Sequence, residues 1–259
     1  MARKRMLEKD SMTEAASMEP RADNVSPRMR PRRALIISLT IPFLLYLLLL
    51  AMLGENVFLF TRMPDGRESR AALAIRDDVF PFLQWGTRLF TQPYLRKYYA
   101  EYWYFTQAAD GQHEHEFTAA LAHALATYPN VDLYLLAHTN KYIKWVETLP
   151  ESQRQRIRFV YNTGCYNEKQ GPDWLALGAN TYIGHPGVSL SPFFYFFLLR
   201  HWTQGATLAE TLELGNRRMC LKFRQMEIVS RGRFDATHAM RESIASCVGN
   251  ADLRLEDTP

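Results

Sequence analysis

VDLYLLAHTNKYIKWVETLPESQRQRIRFVYNTGCY, residues 131–166, reads as strand, helix, strand: apolar runs at Val131–Ala137 and Ile157–Asn162 flank a helix-like stretch at Tyr142–Leu149. Short connections make this a βαβ unit, so the two strands are expected to be parallel with their carboxyl ends on one edge of a sheet. Open α/β sheets carry ligands and chemistry at that edge. The first strand runs into His138 and the second into Cys165, 27 residues later. Alone, a cysteine after a strand reads as a small buried hydrophobe. A histidine on the same rim turns it into a candidate nucleophile with a candidate base.

Outward from this unit, the pattern continues in the same style. Phe117, Leu121, Ala124 and Leu125 make one face of a helix over Glu114–Tyr128. Tyr98–Phe105 (YYAEYWYF) reads as a strand, Ala108–Gln112 as a loop, and Ala71–Phe90 as a helix that Pro81 would split. Downstream come a helix ending at Trp174–Gly178, a strand at Ala179–Ile183, and helices at Ser191–Trp202 and Leu208–Met226. Ser191 is expected to cap the first of these, with Pro192 at its first helical position. Glu151–Arg158 reads as a solvated loop. The order β-α-β-α-β-α-β-α-α predicts an α/β fold, a parallel sheet sandwiched by helices.

The other decisive run is Ala34–Leu53 (ALIISLTIPFLLYLLLLAML), uncharged and long enough for one helix to cross a ~30 Å hydrocarbon core. Arg28, Arg30, Arg32 and Arg33 crowd its amino side, while Arg62, Arg67 and Arg70 are sparser beyond it. The positive-inside bias makes it a retained signal anchor, with the amino terminus cytoplasmic and the main domain periplasmic or extracytoplasmic. The apolar run exceeds a cleaved signal core, and no Ala-x-Ala site follows it. The expected organisation is a disordered basic tail (1–33), a transmembrane anchor (34–53), a linker (54–70) with a turn at Met63-Pro64-Asp65-Gly66, and an α/β domain (71–259). The tail's cations set topology and can touch anionic lipid headgroups, so membrane lipid is an expected partner. The net charge of +4 stems largely from the tail and implies no nucleic-acid partner. Aromatic clusters such as FFYFF (193–197) read as core or interface, not as a platform for stacking bases.

His138, Cys165, the segment Gly178-Ala179-Asn180-Thr181-Tyr182-Ile183-Gly184, the aromatic Ser191–Trp202 and the turn Gln204-Gly205-Ala206-Thr207-Leu208 follow one another in a telling order. From about Phe105 to Met226 the chain resembles the caspase-like fold of cysteine peptidases, in particular the bacterial CHAT, gingipain and separase branch. In that family a histidine ends one strand and a cysteine the next; a Gly-Ala-strand-loop segment, an aromatic helix and a glycine-containing turn opening another helix follow. The caspase-type Gln-Ala-Cys signature is absent, so the narrower caspase group is excluded.

The resemblance implies a cofactor-free cysteine endopeptidase acting on a peptide or protein substrate. Cys165 would attack the peptide carbonyl as a thiolate, and His138 would protonate the leaving amine. The backbone N–H groups of Thr139 and Cys165 would form the oxyanion hole. His185 and Ser189 would border the pocket for the residue before the scissile bond. One departure bears on activity: the family usually has His-Gly where this chain has His138-Thr139, and a β-branched residue resists backbone angles that glycine permits. A catalytically silent caspase-like interaction module on the membrane is therefore the alternative, and an α/β hydrolase with a cysteine nucleophile a weaker third.

Other candidates carry less. His113, Glu114, His115, Glu116 and His123 lack a His-Glu-x-x-His spacing and read as a solvated helix start, so no metal is expected. Cys165, Cys220 and Cys247 make an odd count. In an exported domain this suggests one free thiol and a Cys220–Cys247 bridge, with unpaired buried thiols as the other possibility.

Overall fold

The computed structural model describes residues 31–53, 65–77, 80–108 and 111–257. The chain divides into two compact units, residues 1–57 and 58–259. The first contains helix α1, Pro31–Leu53, with Pro42 inside it. Side chains of α1 are described from residue 40 to 51 and are exposed or half-exposed. Among the described residues, no helix is long and apolar enough to cross a membrane. The tail expected to be disordered lies outside the described residues up to residue 30, and the linker up to residue 64. Pro31–Arg33 belongs to α1 and not to the tail.

The second unit is built on a six-stranded sheet. Its elements run β1 (Arg70–Arg76), α2 (Pro81–Tyr98), β2 (Glu101–Thr106), α3 (Glu114–Thr127), β3 (Asn130–Leu136), α4 (Lys141–Glu147), α5 (Glu151–Arg154) and β4 (Ile157–Asn162). Then follow α6 (Gly171–Ala176), β5 (Thr181–Gly184), α7 (Ser191–Trp202), α8 (Leu208–Val229), α9 (Ala236–Ser243) and β6 (Ser246–Gly249). The strand order is β2-β1-β3-β4-β5-β6. β1 to β5 pair in parallel, and β6 runs antiparallel to β5.

Alternation sorts the side chains of the buried strands to two faces. Leu73, Ile75, Leu133 and Leu135 join Phe117, Leu121, Trp145 and Trp174 in one apolar cluster beneath α3, α4 and α6. On the opposite face Tyr134 and Tyr161 meet the Tyr195 ring edge-on, and Phe159 packs on Trp202, both partners lying on α7. The β3–β4 register slips by one residue after Val131, at Arg158. The buried Arg158 guanidinium grips Asp132 with two bonds, Nε to Oδ1 at 3.0 Å and Nη2 to Oδ2 at 2.5 Å. Burial alone would lower the Arg158 pKa, but the Asp132 carboxylate outweighs it and holds the guanidinium charged.

Several expectations need correction. Arg70–Arg76 (RAALAIR) is a strand, and the following helix begins only at Pro81. Alanine favours helix locally, but these residues sit wholly buried between two strands, where tertiary pairing overrides propensity. Glu151–Arg154 forms a short helix, and α9 and β6 were not anticipated. Ser191 lies inside α7, not at its cap, and its hydroxyl donates to the Thr163 carbonyl at 2.7 Å. All three cysteines are free, so the Cys220–Cys247 bridge is not formed. β6 fixes Cys247 in the sheet opposite Ile183, where burial pushes its thiol pKa up to about 11, while Cys220 rides on α8.

Candidate functional site

The carboxyl ends of β1, β3 and β4 meet at one rim, and each delivers a polar residue to it. β1 ends in Asp77, nearly fully buried. Its Oδ1 accepts from the Tyr142 hydroxyl at 2.5 Å and the Gln107 amide at 3.1 Å, and lies 2.9 Å from the Lys141 ammonium. Its Oδ2 accepts the backbone N–H of His138 at 3.0 Å. A buried carboxylate is tolerated when donors surround it in this way. Asp77 thereby holds the backbone where the chain leaves β3, and His138 itself is exposed there.

β4 ends in Asn162, also buried. Its Oδ1 accepts two backbone N–H groups, from Ala137 at 3.1 Å and from Gly164 at 2.9 Å. These are the residues immediately before His138 and Cys165. One amide oxygen therefore ties the two candidate loops together. Gly164 is required by close approach, because a Cβ at this position would overlap the Ala137 carbonyl. Beyond it, the Asn167 amide donates to the carbonyls of Asn162 (3.1 Å) and Gly164 (2.7 Å), closing the loop around half-buried Cys165. Tyr166, next to Cys165, is exposed and has φ 57°, a left-handed conformation that costs a non-glycine residue about 1–2 kcal/mol.

Among the described residues, neither the Cys165 thiol nor the His138 ring has a hydrogen-bond or ion-pair partner. The N–H groups of Thr139 and Cys165 likewise donate to no acceptor there, while neighbouring N–H groups at His138, Thr163 and Gly164 are all engaged. The rim thus presents an exposed imidazole, a half-buried thiol and two uncommitted backbone donors.

His185 and Ser189 sit differently. His185 is fully buried, stacked on Tyr161 and edge-on to Phe194. Its Nδ1 lies 2.8 Å from the Ser243 carbonyl, which can only accept, so the proton is on Nδ1 and Nε2 accepts from Tyr161 at 3.3 Å. Burial lowers its pKa to about 4, the Ser243 bond partly opposing. The Ser189 hydroxyl is buried and donates to the Thr163 carbonyl. Both side chains are committed inside the fold, Ser189 to the Thr163 carbonyl ahead of Cys165 and His185 to Tyr161 and Ser243. His113–Glu116 and His123 lie on and just before α3, where the His113 N–H donates to the Gln107 side chain at 3.3 Å, and among the described residues no group of three or more His, Cys, Asp or Glu could hold a metal.

Asp77, Asn162 and Asn167 were not singled out from the sequence. Asp77 was hidden because β1 read as helix. Asn162 and Asn167 did carry a signal: polar amides on either side of a Gly-Cys turn directly after an apolar strand. No family model, no curated protein and no solved structure matches the chain.

Proposed function

We propose that the chain is a membrane-anchored cysteine endopeptidase of caspase-like type, working on the non-cytoplasmic side with His138 and Cys165. The Asn162 Oδ1 shared between the N–H groups of Ala137 and Gly164 carries this reading, since it ties the two loops at one sheet edge. The uncommitted N–H groups of Thr139 and Cys165 support an oxyanion site that does not depend on side-chain identity. The Cys165 thiol gives its proton to His138, and the thiolate attacks the carbonyl. His138 then returns that proton to the leaving amine, and water hydrolyses the thioester. The anchor, its topology and the inner-membrane location rest on Ala34–Leu53 and its flanking arginines.

A silent binding module is the second reading. It is favoured by the absence of a bond between the Cys165 thiol and the His138 ring, although apo dyads often tighten only when substrate binds. A thiol-reactive peptide electrophile separates the two. Selective labelling of Cys165 that collapses in His138→Ala supports the peptidase; slow labelling indifferent to His138→Ala supports the module.

A further inference from the structure

The solvent face of α2 carries exposed apolar side chains. Phe80 just before it is 80% exposed, Trp85 63% and Leu89 42%. Trp85, Arg88, Leu89, Pro93 and Arg96 follow a helical i, i+3, i+4 spacing on the side opposite buried Thr87, Thr91 and Leu95, and Phe80 precedes the helix. Pro81–Tyr98 contains Arg88, Arg96 and Lys97 and not one Asp or Glu. Arg88 and Arg96 have no ion pair among the described residues, and the Arg88 Nε donates to Gln92 at 2.9 Å along the surface. A shallow concavity lies among Trp85, Arg88, Leu89, Pro93 and Arg96.

We propose that this face of α2 rests on an anionic lipid bilayer, with Trp85 and Leu89 at headgroup depth and Arg88 and Arg96 paired with lipid phosphates. Exposed tryptophan beside leucine and a one-sign cationic rim is the chemistry of interfacial helices. The sign excess complements an anionic leaflet, and the phosphate of a bilayer supplies in a plane the charges that the helix spreads along its length. The proposal rests on the anchored reading only for the nearness of a membrane.

Tryptophan fluorescence tests it in the full chain. Of the five tryptophans, Trp145, Trp174 and Trp202 are buried and Trp103 is half-buried, which leaves Trp85 as the one open to a lipid quencher. The chain is placed in nanodiscs containing phosphatidylglycerol with brominated acyl chains. The expected result is quenching that disappears in Trp85→Phe and falls several-fold in Arg88→Glu/Arg96→Glu. Quenching unchanged by Trp85→Phe, in a chain retained by the discs, overturns the proposal and leaves the anchor standing; dimerisation through the same face would then make a second copy its occupant. Equal quenching in purely zwitterionic discs also overturns the anionic commitment. A chain not retained by the discs refutes the anchor separately. Flotation with preformed phosphatidylglycerol vesicles then decides: loss of at least about tenfold in the double variant supports the face, and flotation indifferent to it refutes the face.

Discussion

Gly164 and Asn162 exert more control over the candidate site than the residues that would do its chemistry. Gly164→Ala forces a methyl group into the Ala137 carbonyl, and neither backbone can retreat without losing its bond to the Asn162 side chain. We expect a loss of roughly 4 kcal/mol or more in urea unfolding, the range reserved for built-in clashes. Asn162→Ala should act differently. It removes the shared acceptor, so labelling of Cys165 should fall tenfold or more, because misplacement of about 1 Å is enough for such losses. Asn162→Asp, which keeps an acceptor oxygen, should recover most of it. Asp77→Ala removes the acceptor of the Tyr142 hydroxyl and of the His138 N–H. Its expected cost is about 3 kcal/mol. His185 adds a pH dependence. Its folded pKa of about 4 lies below the ordinary 6.5, so the unfolded chain binds the extra proton between those values. Stability is complete above about pH 6.5 and falls as pH drops toward 4, by up to roughly 3 kcal/mol. Melting curves from pH 7 to 4.5 should flatten in His185→Phe.

At the scale of elements, the clearest local signal is the opening of α8. Gly205 adopts φ 91°, and Thr207 forms a capping box in which its hydroxyl takes the Glu210 N–H and the Glu210 carboxylate takes the Thr207 N–H. Thr207→Ala should cost about 1 kcal/mol and Thr207→Ser much less, read from denaturant midpoints. Such local chemistry explains what was legible. The starts of α7 and α8, the bounds of β4 and the apolar face of α3 all stood in the sequence, because proline and glycine breaks and periodicity are written in adjacent residues. β1 was not, since seven residues rich in alanine become a strand only when β2 and β3 close on them. β6 is four residues long and has no pattern of its own. The loops carrying His138 and Cys165 were legible as strand ends, whereas the buried side of His185 was not, because it depends on α9 arriving behind it.

For the whole molecule, the arrangement of charge along the chain gives a topological expectation. A protease added outside spheroplasts should digest the domain beyond Gly54 and spare the tail before Arg33; protection of the domain would move its chemistry to the cytoplasm. The buried arginines at the strand starts add a matter of timing. Arg70 and Arg158 both donate to the Leu255 carbonyl, the first across 185 positions of sequence. Arg70 lies at the start of β1 and Arg158 near the start of β4, so two strands wait for one late carbonyl. A chain emerging amino end first holds these guanidinium groups without that acceptor until residue 255 appears. Closing so long a loop is slow, and an unfinished sheet exposes apolar edges meanwhile. The domain should therefore depend on a chaperone from the emergence of β1 until residue 255 is free of the ribosome.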